Sequence, residues 1–211
     1  MWTESRVAHW QATGERPRVA VWTPEQTATF LDANRNHDLF ALYLLVALVG
    51  LRRGEVAGLR WCDLDLDNGL VMVSHQVQDH NGRTVICPPK TQSSVRTVAL
   101  PRVAVTVLRH LYDAHRRASA GPPTGFVFVR SRGVPFSPGY LTHTFRRLAA
   151  RAGVPPTRLH DLRHGAASLM LAAGGELKVV QETCCRGDCG VGVGSGASQE
   201  WQDLGPLAQF T

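Results

Sequence analysis

His160-Asp161-Leu162-Arg163-His164 gathers two imidazoles, a carboxylate and a guanidinium into five residues. On a helix, positions i, i+3 and i+4 share a face, so His160, Arg163 and His164 project together. At a helix start, free backbone N–H groups and the positive dipole end favour an anion, and an arginine adds a bidentate phosphate grip. Two histidines at i and i+4 can also bind zinc. A zinc hydrolase needs a glutamate base after the first histidine, whereas Asp161 is one methylene shorter and Arg163 would repel the cation. The plain alternative to both is an exposed polar helix start. A second candidate is Arg52-Arg53 with Glu55, directly after an apolar run. Arginine cannot pack into a core there, and Glu55 is close enough to hold one guanidinium by a charged hydrogen bond. A rigidly held arginine suits a phosphate clamp, and the ordinary alternative is a surface ion pair of small consequence. Lys90 is one of only two lysines, the other being Lys178. On a mobile loop it can approach a substrate and donate a proton, or simply be solvated.

Charge supports an anionic partner. The chain has 211 residues and a formal charge of +6, but residues 80–160 carry thirteen basic residues against one acid, Asp113, a local excess of +12. A stretch this one-sided repels itself unless something anionic neutralises it, and a phosphate backbone is the obvious candidate. An apolar content of 44% is a globular value. The longest run free of strong polarity, Phe40 to Leu51, is twelve residues, too short to cross a bilayer. Residues 1–10 lack the apolar core of a secretory signal. Cys62 and Cys87 stand apart, while Cys184, Cys185 and Cys189 crowd together, and no histidine follows His164 to complete a metal set. These features predict a cytoplasmic protein with free thiols, no membrane contact and no bound metal.

The elements that must position these residues follow from periodicity and punctuation. Residues 1–20 are polar and read as a linker. Thr23-Pro24-Glu25-Gln26 opens a helix with a capping-box pattern. His37 to Val49 reads as a helix apolar nearly all round, hence buried, stopping at Gly50. Arg52 then begins a short helix to about Leu59. The period changes to two at Leu70–Val77 and Arg83–Cys87, which flank an Asn81-Gly82 hairpin signal. A loop, Pro88 to Ser94, carries Lys90 into a third strand, Val95–Leu100. Helices follow from Pro101 to about Ala118, from the Ser137-Pro138 cap to Gly153, and from a Thr157 cap through Ala173, with a further short one at Glu176–Thr183. The fold class is α+β, mainly α, with one small three-stranded antiparallel sheet.

The order of these motifs resembles one family. Gly50-Leu51-Arg52-Arg53-Gly54-Glu55-Val56, Pro89-Lys90-Thr91 through Arg96-Thr97-Val98, and the His160 pentad are similar to the catalytic domain of tyrosine site-specific recombinases, the phage-integrase family, over about residues 21–183. The resemblance implies metal-free, cofactor-free transesterification on double-stranded DNA. Arg52 and Arg163 match the arginines that grip the scissile phosphate and stabilise its transition state. Lys90 matches the lysine that protonates the leaving 5′-oxygen, His160 the assisting acid or base, and Glu55 the supporting acid. Arg146, Arg147, Arg151 and His164 are the expected DNA-binding side chains around them.

Beyond Glu182 the sequence departs from the family. In place of a Leu-Gly-His motif and a later nucleophilic tyrosine it reads Thr183-Cys184-Cys185-Arg186-Gly187-Asp188-Cys189-Gly190. The tyrosines are Tyr43, Tyr112 and Tyr140, all upstream of His160 and more suited to packing than to attack. The expected organisation is a linker remnant at 1–20, a catalytic domain at 21–183 and a non-family, disordered, frameshifted tail at 184–211. The function expected is DNA breaking and rejoining with cleavage lost. The alternative is a non-catalytic DNA-binding remnant. A second copy of the chain, or a full-length recombinase on the same DNA, is the expected protein partner.

Overall fold

The computed structural model of the protein describes residues 1–17, 20–80, 83–88, 95–119 and 121–172. Residues 1–20, read from sequence as a linker, contain helix α1 (Glu4–Thr13), which ends at Gly14 in the left-handed conformation, φ 77°. No side chain of α1 is fully buried, but Val7 and Trp10 pack against the core. The anchor is Trp2, fully buried, whose backbone N–H donates to the Val21 carbonyl at 2.8 Å. The apolar positions of this segment are too few for a periodic signal, so its docking was not legible.

Helix α2 (Pro24–Ala33) begins with the predicted capping box. The Thr23 hydroxyl accepts from Gln26 N at 3.2 Å, and Gln26 Oε1 accepts from Thr23 N at 3.0 Å. Helix α3 (Phe40–Leu48) is shorter than the predicted span, because residues 34–39 form turns, and every side chain from Ala41 to Leu48 is buried. Its all-round burial follows from its all-round apolarity. Helix α4 (Arg53–Ala57) follows the turn at Gly50, φ 68°.

A short 3₁₀ turn (Trp61–Asp63) leads into β1 (Leu64–Asp65) and β2 (Leu70–Val73). The predicted strand Leu70–Val77 is in fact two, because β3 (Gln76–His80) leaves the sheet to pair with β4 (Arg83–Cys87). The break falls at Ser74, whose hydroxyl donates to Asp63 Oδ1 at 2.7 Å and lies 2.7 Å from His75 Nδ1. Val71, Val73 and Val77 keep one phase across the break, so periodicity alone misses it. Strand β5 (Arg96–Ala99) returns to β2, giving the antiparallel order β1-β2-β5 with Val71 opposite Val98 and Val73 opposite Arg96. The β3–β4 ribbon is thus an excursion between β2 and β5. Its register, Gln76 opposite Cys87 and His80 opposite Arg83, suits the predicted two-residue turn, which lies outside the described residues.

Helix α5 (Arg102–Ser119) buries Val103, Ala104 and Leu108. Helix α6 (Pro138–Arg151) is capped by the Ser137 hydroxyl, which accepts from Tyr140 N at 3.2 Å. Helix α7 (Leu159–Ala172) carries the histidine pentad. Thr157, read as its cap, directs its hydroxyl to the Ala20 carbonyl. Helix α3 is the hub, packed by α2, α4, α5 and α7. Trp22, Phe30, Tyr43 and Phe145 tie α2, α3 and α6 together, with ring centroids 5.1 to 5.8 Å apart. The predicted helix at Glu176–Thr183 and the segment 184–211 lie outside the described residues. Among those described, no helix is long and apolar enough to cross a membrane.

Candidate functional site

Three elements converge on one carboxylate. Glu55 sits at the third position of α4 and is 7% exposed. From there its Oε2 accepts from Arg52 N at 2.8 Å, satisfying a backbone donor that the helix start would leave orphaned. Its Oε1 accepts from Arg52 Nη1 at 2.9 Å. Arg96, at the start of β5, grips both oxygens, Nη1 to Oε1 at 2.9 Å and Nη2 to Oε2 at 2.8 Å. Arg163 of α7 brings Nη1 to 4.0 Å from Oε2 and donates to the Gly50 carbonyl. Three guanidinium groups therefore surround one negative charge, leaving the cluster with two net positive charges.

Burial alone would push the Glu55 carboxyl up. Hydrogen bonding and charge from Arg96, then hydrogen bonds from Arg52, outweigh it and hold the group down to about 2. Both histidines are exposed on α7, and their rings meet edge to face with centroids 5.1 Å apart. Partial burial of His160 lowers its pKa below the usual 6.5, and the neighbouring His164, Arg163 and Arg52 lower it further against the opposing pull of Asp161. An imidazole beside the half-exposed Arg52 can exchange a proton as an anion arrives.

The sequence-predicted residues divide into three groups. Arg52, Glu55, His160, Arg163 and His164 come together. Reading from sequence treats the two arginines alike, but the structure separates them. The Arg52 side chain is 43% exposed, whereas that of Arg163 is 7% exposed and is held by backbone. Arg146, Arg147 and Arg151 are exposed along α6. Arg146 lies one turn beyond Thr142, whose hydroxyl accepts from Arg53 Nη1 at 3.2 Å, so Arg53 links the start of α4 to that face. Lys90 lies outside the described residues.

Arg96 was not among the predicted site residues. Its signal was present, since it shares phase with buried Val98 and Leu100 while Val95 is exposed. A cation on the buried face of a strand demands a buried partner. The tyrosines have packing contacts of their own. Tyr43 is buried and donates its hydroxyl to the Leu141 carbonyl at 3.0 Å, and burial pushes its pKa up. Tyr112 packs edge-on against Trp61, and Tyr140 stacks on Phe136 beneath Arg130.

Chemically this is a preorganised cluster of guanidinium groups on a helical domain with a β-ribbon, an arrangement whose net positive charge can attract an anion. The chain belongs to the phage integrase family, whose model matches residues 21–184. It is 30% identical over 181 residues to a tyrosine recombinase XerC-like protein of Caldanaerobacter subterraneus, covering 78% of this chain and 46% of that protein. The integrase of Mycobacterium phage L5 is 29% identical over 172 residues, covering 80% of this chain and 45% of the relative. The chain thus spans about half the length of these curated relatives. Among solved structures, the Tn1549 transposon integrase in complex with transposon right end DNA shares the fold with a TM-score of 0.69 at 22% identity, over 87% of this chain and 69% of that one.

Proposed function

We propose that this domain is the phosphodiester-activating part of a site-specific DNA recombinase, and that the 211-residue chain binds duplex DNA without cutting it by itself. The observation that carries the reading is the arginine cluster on Glu55 beside the exposed histidines of α7. A phosphodiester seated against Arg52 meets a cation already oriented before it arrives. The charge that develops as the phosphorus becomes five-coordinate is then stabilised without reorganisation. Arg163 adds its charge from behind. In the transesterification, a hydroxyl oxygen bonds to phosphorus, the P–O bond to the 5′-oxygen breaks, and that oxygen takes a proton from an acid, the role assigned to Lys90. His160, held neutral, relieves the attacking hydroxyl of its proton. Family membership and the DNA-bound state of the Tn1549 relative support DNA as the partner. Arg146, Arg147 and Arg151 extend the contact along the backbone. The non-cleaving half of the proposal rests on the positions of Tyr43, Tyr112 and Tyr140, all upstream of His160, with the Tyr43 hydroxyl buried and bonded to the Leu141 carbonyl, and a second protein supplying the nucleophile is its natural complement.

The test uses the purified chain and a labelled duplex. Neutralising about four phosphates predicts an affinity loss of roughly a hundredfold between about 50 and 200 mM salt. Binding that ignores salt overturns the phosphate reading. A nicked duplex that traps covalent intermediates should yield no adduct on a denaturing gel, and a phosphotyrosine adduct on this chain refutes the non-cleaving half.

A further inference from the structure

Arg96 raises a question that the phosphate chemistry leaves open. A buried carboxylate that orients Arg52 also neutralises it, since ion pairing with Glu55 competes with pairing to an incoming phosphate. The geometry resolves that conflict. Arg96 is 9% exposed and too deeply placed to be the outward cation, yet it takes both Glu55 oxygens in a fork-to-fork pair at 2.9 and 2.8 Å. The Arg52 guanidinium reaches Glu55 through one nitrogen, Nη1, beside the bond from its backbone N–H, and the side chain stays 43% exposed.

We infer that Arg96 is a positioning residue that saturates Glu55, so that Glu55 steers Arg52 without cancelling its charge. The inference rests on the reading of this cluster as the DNA phosphate site. Bidentate pairing is the strongest arrangement a guanidinium and a carboxylate can form, so Arg96 outcompetes Arg52 for the carboxylate. Without Arg96, the singly bonded Arg52 guanidinium swings into the vacated bidentate geometry. Its charge then turns inward and is spent on Glu55. Arg163 cannot take over, because its Nη1 is already committed to the Gly50 carbonyl and stands 4.0 Å from Oε2.

Two measurements on the full chain separate this role from simple support of the fold. The first needs no DNA. Phenylglyoxal labelling, read by peptide mass spectrometry, reports the availability of each guanidinium, with Arg116 on α5, 58% exposed, as internal control. In Arg96→Met, Arg52 should label severalfold more slowly while Arg116 is unchanged. Adding Glu55→Gln should restore Arg52 labelling, because the competing charge is gone. Arg96→Gln removes the charge but keeps a hydrogen bond, and serves if Arg96→Met fails to fold; it too should slow Arg52. Unchanged Arg52 labelling in a folded Arg96 variant overturns the inference.

The second measurement is a binding cycle with duplex DNA. Arg96→Met should weaken binding about tenfold, the size of one lost charged hydrogen bond. In an Arg52→Ala background the same change should have no effect within about twofold, because Arg96 acts through Arg52. Additive losses overturn the inference. Absence of salt-sensitive binding by the unmodified chain refutes the DNA reading instead, and the labelling result still decides the role of Arg96.

Discussion

At Glu55, burial that would raise the carboxyl is overcome by Arg96 and then Arg52, which hold it at about 2 instead of its ordinary 4.5. A folded-state value below the unfolded one means that the group stabilises the fold in its ionised form. The contribution is fully present above about pH 4.5 and is lost as pH falls towards 2. Its size is about 3 kcal/mol, from roughly 1.4 kcal/mol for each unit of displacement. Urea unfolding followed by circular dichroism between neutral and acid pH should therefore show stability falling through that window. Glu55→Gln should be less stable at pH 7 by about 3 kcal/mol, since it leaves buried guanidinium charge unpaired, and its acid slope should be flatter. An acid slope as steep as that of the unmodified protein would place the titrating group elsewhere.

Helix α4 has only five residues, too few to hold itself together in water, so packing must supply what propensity cannot. One packing partner is β3, beside α3 and α6, and two glycines one turn apart permit its approach. A Cβ on Gly54 would lie 2.7 Å from the Val77 carbonyl oxygen, and one on Gly58 would lie 3.1 to 3.3 Å from the Gln76 backbone. In an exposed helix, replacing glycine by alanine gains about 1 kcal/mol. Here the obstacle is backbone, which cannot step aside as a flexible side chain would, so the sign reverses. Gly54→Ala should lower stability by about 1–3 kcal/mol, with Gly58→Ala milder. A rise in the urea midpoint for Gly54→Ala would mean that the ribbon is not seated on α4 as described. The same contact links the start of α4, where Arg52 stands, to the ribbon. The far end of that ribbon is also tied down, since Asp79 Oδ2 accepts from Gly139 N at the start of α6 at 2.9 Å.

Across the whole molecule, the N-terminal helix is held by a single deep anchor. Trp2 is fully buried, meets Trp10 edge to face at 5.7 Å, and its carbonyl accepts from Gln26 Nε2 at 3.2 Å. Its indole N–H is buried without a hydrogen-bond partner, so the anchor works by apolar burial against a polar cost. Trp2→Ala should cost about 3 kcal/mol, at the low end for a buried tryptophan because that cost is relieved. It should also speed hydrogen exchange across residues 4–13 while leaving α3 protected. Exchange unchanged in α1 would show that Val7 and Trp10 suffice to hold it.

What local spacing controls was legible in the sequence. The Thr23 and Ser137 caps, the Arg52–Glu55 pair and the exposed face shared by His160 and His164 all depend on neighbours three or four residues apart. Helix geometry brings such neighbours together whatever the rest of the chain does. Arg96 was half legible, because strand phase marks it as inward-facing but does not say what it meets. Its partner Glu55 is 41 residues away, and the Gly50 carbonyl that holds Arg163 is 113 residues away. The departure of β3 from the sheet, the Thr157 bond to Ala20 and the burial of Trp2 are likewise settled by distant partners. The sequence by itself determined that Arg52 and Glu55 sit at one helix start and His160, Arg163 and His164 at another. Only the tertiary structure decided that Arg52 faces outward and Arg163 inward, because the carboxylate and carbonyl that divide those roles reach them only when the chain is folded.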